Sequence, residues 1–134
     1  MATAFKPMPE ETVSQFDLQQ EIDIAEARRP WPAGIYSKTL LKKQDMRVVL
    51  TLVEPGAVMK DHHADGSVAI QVLLGKLQLI LDGDKYKLLD RSLFVVPPSV
   101  RHRLQALEPT AFLLTISWPD NEKLRAMPHR GYGS

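Results

Sequence analysis

Residues 55–77 read PGAVMKDHHADGSVAIQVLLGKL. A Pro-Gly turn opens the stretch, Gly75 interrupts it near its end, and between them VAIQVLL (68–74) is a short apolar run bounded by turn residues. Seven residues rich in valine, isoleucine and leucine suit a strand better than a helix. The pattern repeats in both directions: IYSKTLL (35–41), RVVLTLVE (47–54), KLQLILD (76–82), KYKLL (85–89), LFVV (93–96), RHRLQAL (101–107) and AFLLTIS (111–117). Turn signals separate most of these runs: Pro55-Gly56, Gly75, Asp82-Gly83-Asp84, Pro97-Pro98 and Glu108-Pro109. Many short strands with no interleaved helices predict an all-β sandwich or barrel. Upstream, FDLQQEIDIAEARR (16–29) predicts a short helix over 17–28, with Asp17 as N-cap and Leu18, Ile22 and Ala25 on one face. Ile22 and Ile24 also alternate, so an extended segment is the other reading; Pro30 and Pro32 end either one. The expected organisation is an N-terminal extension (1–34), a β-domain (35–118) and a flexible tail (119–134).

Composition narrows the function. The chain has 134 residues, enough for one domain, with 44% apolar and 25% charged residues. Seventeen basic side chains face sixteen acidic ones for a net charge of +1, which gives no electrostatic reason to expect nucleic acid or an acidic membrane as partner. With no cysteine, disulfides, zinc–thiolate sites and thiol nucleophiles are excluded. The first ten residues lack the basic region and apolar run of a signal peptide, and no stretch reaches the roughly 20 apolar residues of a membrane helix. A soluble cytoplasmic protein is the expectation.

Two stretches resemble the cupin family. In the first, Gly56 is followed after five residues by His62, and Gly75 closes the motif. In the second, RSLFVVPPSVRH (91–102), Pro97 and His102 stand at the family's spacing. The resemblance implies a cupin-type double-stranded β-helix, a jelly-roll β-sandwich or barrel, preceded by a short N-terminal helical or extended segment. It also implies a metal held by two histidines two residues apart, a glutamate and a final histidine. In this register the second histidine falls on Ala64 and the glutamate on Val68; the second motif's glycines fall on Arg91 and Ser99, and its asparagine on Ala106.

Two of the four ligand positions remain as a reduced constellation. His62 and His102 are the retained ligand positions, and two histidines alone hold metal poorly, since a stable site needs at least three protein ligands. His63 would be a third ligand if a bulge turned it inward, giving a His62–His63–His102 site for iron, nickel, manganese, copper or zinc. The other reading has no certain cofactor and a small-molecule pocket lined by His62, Ala64, Val68, Ile70 and His102. Three functions follow: small-molecule binding with a weak or absent metal site, a dioxygenase-like metal-dependent oxidoreductase, or a dimeric structural or regulatory module. Whether the chain is an enzyme stays open. Gln71 is out of step with Val68 and Ile70, so it points outward, to solvent or to a second copy in an expected homodimer. Arg101 and Arg103 are expected on the face opposite His102, and Trp31 and Trp118 at the sandwich ends or a dimer seam.

Overall fold

Alternation along each strand determines which side chains reach the interior. The computed structural model describes residues 13–62 and 64–117, with positions 61 and 62 described through their backbone. The described residues form one α-helix, α1 (Leu18–Glu26), a short 3-10 turn (Pro32–Gly34) and nine strands: β1 (Ile35–Lys42), β2 (Met46–Val53), β3 (Val58–His62), β4 (Val68–Leu74), β5 (Leu77–Leu81), β6 (Asp84–Leu88), β7 (Leu93–Val96), β8 (His102–Ala106) and β9 (Thr110–Ser117). They make two antiparallel sheets, ordered β1-β2-β9-β4-β7 and β3-β8-β5-β6. In β4, Val68, Ile70 and Val72 are buried while Gln71 is exposed, as the alternation requires. Leu77 and Leu79 of β5, Leu104 and Ala106 of β8, and Phe112, Leu114 and Ile116 of β9 meet them between the sheets. This is a β-sandwich of the jelly-roll kind.

A second, smaller core explains the N-terminal segment. Asp17 caps α1, its side chain accepting from the Gln20 amide at 3.1 Å. Ile22 and Ala25 then pack on Leu50, Leu52 and Ala111, the outward face of β2 and β9. Trp31 closes this cluster. Its indole Nε1 donates to the Ala25 carbonyl at 2.9 Å, and Tyr36 lies 6.1 Å away, centroid to centroid. Arg29 stacks 4.0 Å above the Trp31 ring and donates to Glu26 and Glu54, tying the end of the helix to the turn after β2. These bonds, chiefly the one to Glu26, push the guanidinium above its ordinary range. The helix reading of 17–28 therefore stands, shortened at its C-terminal end. The tail (119–134) and Trp118 lie outside the described residues.

The turns keep glycine-like geometry at positions that have no glycine. Gly75 has φ of 103°, and a Cβ there would run into the Pro109 carbonyl and the Thr110 side chain. Arg91 and Ser99, at the second motif's glycine positions, adopt φ of 66° and 65°. Both side chains thus sit in the left-handed region that L-residues enter at a cost.

Candidate functional site

β8 begins at His102. Its ring is 1% exposed, on the face shared with Leu104 and Ala106, so it points between the sheets. Arg101 and Arg103 on either side are exposed, as alternation predicts. Nδ1 of His102 lies 3.1 Å from the Val100 carbonyl. A carbonyl oxygen only accepts, so Nδ1 carries the hydrogen in this contact and the lone pair of a neutral ring sits on Nε2. The backbone thereby fixes both tautomer and ring orientation.

His62 stands directly across from His102 in the β3–β8 register, and Leu81 of β5 pairs with His102 on its other side. The β3–β8 register shifts between Met59 and His62. Face parity counted along β3 from Met59 therefore does not carry through to His62, and the strand ends there. Ala64 lies beyond it, in the connection to β4, where its carbonyl accepts from the Ser99 amide at 2.7 Å. That bond clasps the 64–67 turn to the 97–100 turn at the same end of the sandwich as His102. His63 lies outside the described residues.

The remaining pocket candidates are embedded in the core. Ala64, Val68 and Ile70 are 2%, 1% and 0% exposed, members of the apolar cluster between the sheets. The positions at which the motif has a histidine and a glutamate thus carry buried hydrocarbon without a donor atom. Among the described residues no three histidine, aspartate or glutamate side chains come together in a metal-holding group. The described donors do not fit a cupin metal centre.

One interior residue is missing from the sequence-based candidates. Arg47 shares its face of β2 with Val49 and Val53, both in the inter-sheet core, and pairs with Ile116, which in turn pairs with Val68. The guanidinium therefore belongs to the same cross-strand row as the position of the lost carboxylate. It is half-buried, and its Nε is shut off from solvent. The parity of RVVLTLV could not reveal this, because both faces of β2 are apolar: one packs into the sandwich, the other under α1. A separate cleft of about 40 Å³ lies between α1 and the sheet, lined by Ile22, Trp31, Leu52 and Thr110 among others. It has room for little more than a water molecule or two.

A double-sheet jelly roll with a buried histidine at one end is the architecture of a small β-barrel domain. The cupin-domain family model matches residues 49–117, just over half of the chain, and the chain belongs to that family. Among solved structures it is similar to a conserved protein of unknown function from Streptococcus pyogenes, with TM-score 0.67 and 22% identity over 88% of this chain and 99% of that one. KdgF from Halomonas sp. aligns with TM-score 0.61 and 26% identity over 72% of this chain and 89% of that one. Salicylate 1,2-dioxygenase from Pseudoaminobacter salicylatoxidans aligns with TM-score 0.65 and 21% identity, over 87% of this chain but 36% of the enzyme. At 21% and 22% identity these likenesses carry the fold alone. A search of curated proteins returns no match. Among the described residues no helix is long and apolar enough to cross a membrane.

Proposed function

We propose that this cupin binds a small organic anion at the His102 end of the sandwich, without needing a resident metal. The carrying observation is that His102 and Arg47 both stand on strand faces turned to the apolar cluster between the sheets. In such surroundings a guanidinium and an imidazole give a ligand polar anchor points beside an apolar lining. A carboxylate suits the fork-like N–H donors of Arg47, and the Nε2 lone pair of His102 accepts from a hydroxyl on the same ligand. Val68 and Ala64, in place of ligands, leave hydrocarbon for the ligand's apolar part. The test is calorimetric titration of a panel of small carboxylates against the full chain, Arg47→Gln and His102→Ala. Expected is saturable binding that weakens at least tenfold in either variant. A carboxylate that binds all three proteins equally would overturn the assignment.

A second reading is favoured by the cross-strand register of His62 and His102. With His63 as third ligand it gives a metal-dependent oxidoreductase of the dioxygenase type. Elemental analysis of untagged protein discriminates the two. Near-stoichiometric iron, nickel, manganese, copper or zinc that is lost in His62→Ala/His102→Ala favours the metalloenzyme; no uptake after incubation with each metal rejects it.

A further inference from the structure

One strand edge carries lysines on one face and an aromatic pair on the other. Lys85 and Lys87 of β6 stand opposite Ile80 and Gln78 of β5, out of step with the buried Leu77 and Leu79, so both lysines face outward. Arg103 of β8 lies across Ile80 from Lys85, and Lys60 of β3 is exposed as well. Elsewhere Arg29, Lys38 and Lys76 are paired with glutamates, whereas among the described residues no carboxylate pairs with Lys60, Lys85 or Lys87. β6 also ends its sheet, so among the described residues no strand lies along its second side. Between the two lysines Tyr86 is in step with the buried Leu79 and turns to the inner face. It is 38% exposed, and its ring sits 5.1 Å from that of Phe94 on β7, the edge strand of the facing sheet.

We propose that β6 takes up an extended acidic segment of another protein as an added strand. In an antiparallel pair, residues directly opposite share a face. Carboxylates two residues apart on the incoming segment would meet Lys85 and Lys87, and the residue between them would meet Tyr86 beside Phe94. The partner that fits therefore alternates acidic and apolar side chains, with main-chain hydrogen bonds supplying the rest of the contact. Arg103 and Lys60 extend the positive field over the approach. Lysines on an edge normally discourage strand pairing. A second β6 would bring its own lysines against these, whereas an acidic segment turns the same charges to attraction. Edge protection alone would explain Lys85 and Lys87 but not Arg103, whose strand is flanked on both sides. A single-stranded nucleic acid fits less well: the outward positions of β8 and β5 are Arg103, Gln105, Gln78 and Ile80, with no aromatic ring for a base to stack on. Asp84 lies at the hairpin end opposite Leu81 and confines the contact to residues 85–88.

The full chain, isotopically labelled for NMR, is titrated with a synthetic peptide alternating glutamate and valine over about six residues, the usual length of a strand. Expected are saturable amide shifts concentrated on β6, with binding weakened more than tenfold in Lys85→Glu/Lys87→Glu and reduced by added salt. Two further peptides leave the protein untouched. One has lysine in place of glutamate; the other is methylated at its peptide nitrogens, which keeps every charge and removes the main-chain donors. Neither should bind. Absence of shifts overturns the proposal, as does equal binding of the methylated peptide or indifference to the lysine reversal. Tighter binding of oligouridylate or of phosphatidylserine vesicles at β6 would overturn the assignment to an acidic polypeptide. So would self-association that rises with protein concentration and is lost in Lys85→Glu/Lys87→Glu, since the acidic helix α1 of a second copy would then be the occupant. The contact uses neither His102 nor Arg47, so its failure would leave the ligand site proposed above untouched.

Discussion

Replacing Ser99 or Arg91 with glycine should stabilise this protein, although each change deletes a side chain. Both residues hold φ near +65°. An L-residue there costs roughly 1–2 kcal/mol relative to ordinary backbone, because Cβ crowds the following carbonyl. Glycine removes that crowding but has more freedom to lose on folding, a penalty of about 0.5–1 kcal/mol. The difference is a gain of about 0.5–1 kcal/mol at each site. The Ser99 amide bond to the Ala64 carbonyl involves backbone only, so it survives the substitution. The two sites flank β7 at opposite ends, beyond the roughly 7–10 Å within which substitutions couple, so the double variant should gain about 1–2 kcal/mol. With an unfolding entropy of about 2.1 cal/mol/K per residue, a chain of this length shifts by about 3–4 °C per kcal/mol.

Urea denaturation and thermal melts of Ser99→Gly, Arg91→Gly and the pair would measure this. Arg91→Ala is the decisive control: it removes the exposed side chain but keeps Cβ, so it should bring no gain. Gly56→Ala tests the sign from the other direction. Its φ is 85° and a new Cβ would meet nothing within 4 Å, so it should lose about 1 kcal/mol from conformation alone. Gly75→Ala should lose more, because backbone atoms of Pro109 and Thr110 occupy the space as well. If Arg91→Ala matches Arg91→Gly, or if Ser99→Gly destabilises, the strain reasoning fails.

Three further outcomes follow from the same geometry. Phe112 is wholly buried on β9, a central strand, so Phe112→Ala should cost about 3–5 kcal/mol by denaturation. Lys38 donates from Nζ to the Glu21 carboxylate at 2.8 Å, and that bond raises its pKa above the ordinary 10.5. A raised folded-state pKa gives stability that is fully present below the unfolded value and lost as pH rises through the folded one. Thermal stability should therefore fall more steeply between about pH 10 and pH 12 in the natural chain than in Glu21→Gln, which lacks the partner. Val68→Glu should cost several kcal/mol by putting an unpaired carboxyl into the core, and should shift that carboxyl's pKa upward. Adding Ala64→His should recover part of the loss only when a transition metal is supplied, read as a metal-dependent rise in melting temperature.

How far the sequence could be read depended on local signals. VAIQVLL and LFVV gave their strands to the residue, because turn residues bound them on both sides. β3 escaped notice as a strand, since VMKDH has two apolar residues and no alternation to count. The facing of Gln71 followed from simple parity with Val68 and Ile70. The facing of Arg47 did not, because the helix packed outside β2 makes both of its faces look like core. The candidate site needed what no single run contains. β3 and β8 are neighbours in space but forty residues apart in sequence, and the register shift after Met59 breaks the parity that would have aimed His62.

That contrast also explains which features of the family pattern this chain keeps. Gly75 stays because a backbone carbonyl stands where its side chain would go; the turns at Arg91 and Ser99 keep the left-handed geometry without the glycine, because the strands on either side dictate it. Turn geometry is imposed by the fold, so it persists under substitutions that carry a modest strain. Metal ligation has no such support. Once Ala64 and Val68 replace donors, the same positions contribute to the apolar core, and restoring only one ligand would bury a polar group with nothing to satisfy it. The loss is therefore self-reinforcing: each missing donor makes the remaining ones less useful as metal ligands. His102 escapes that logic because the Val100 carbonyl satisfies Nδ1 whether or not a metal is present. A histidine held in this way has Nδ1 committed to its own backbone and leaves binding to the Nε2 lone pair, so what it binds is decided by the groups opposite it and not by its own strand.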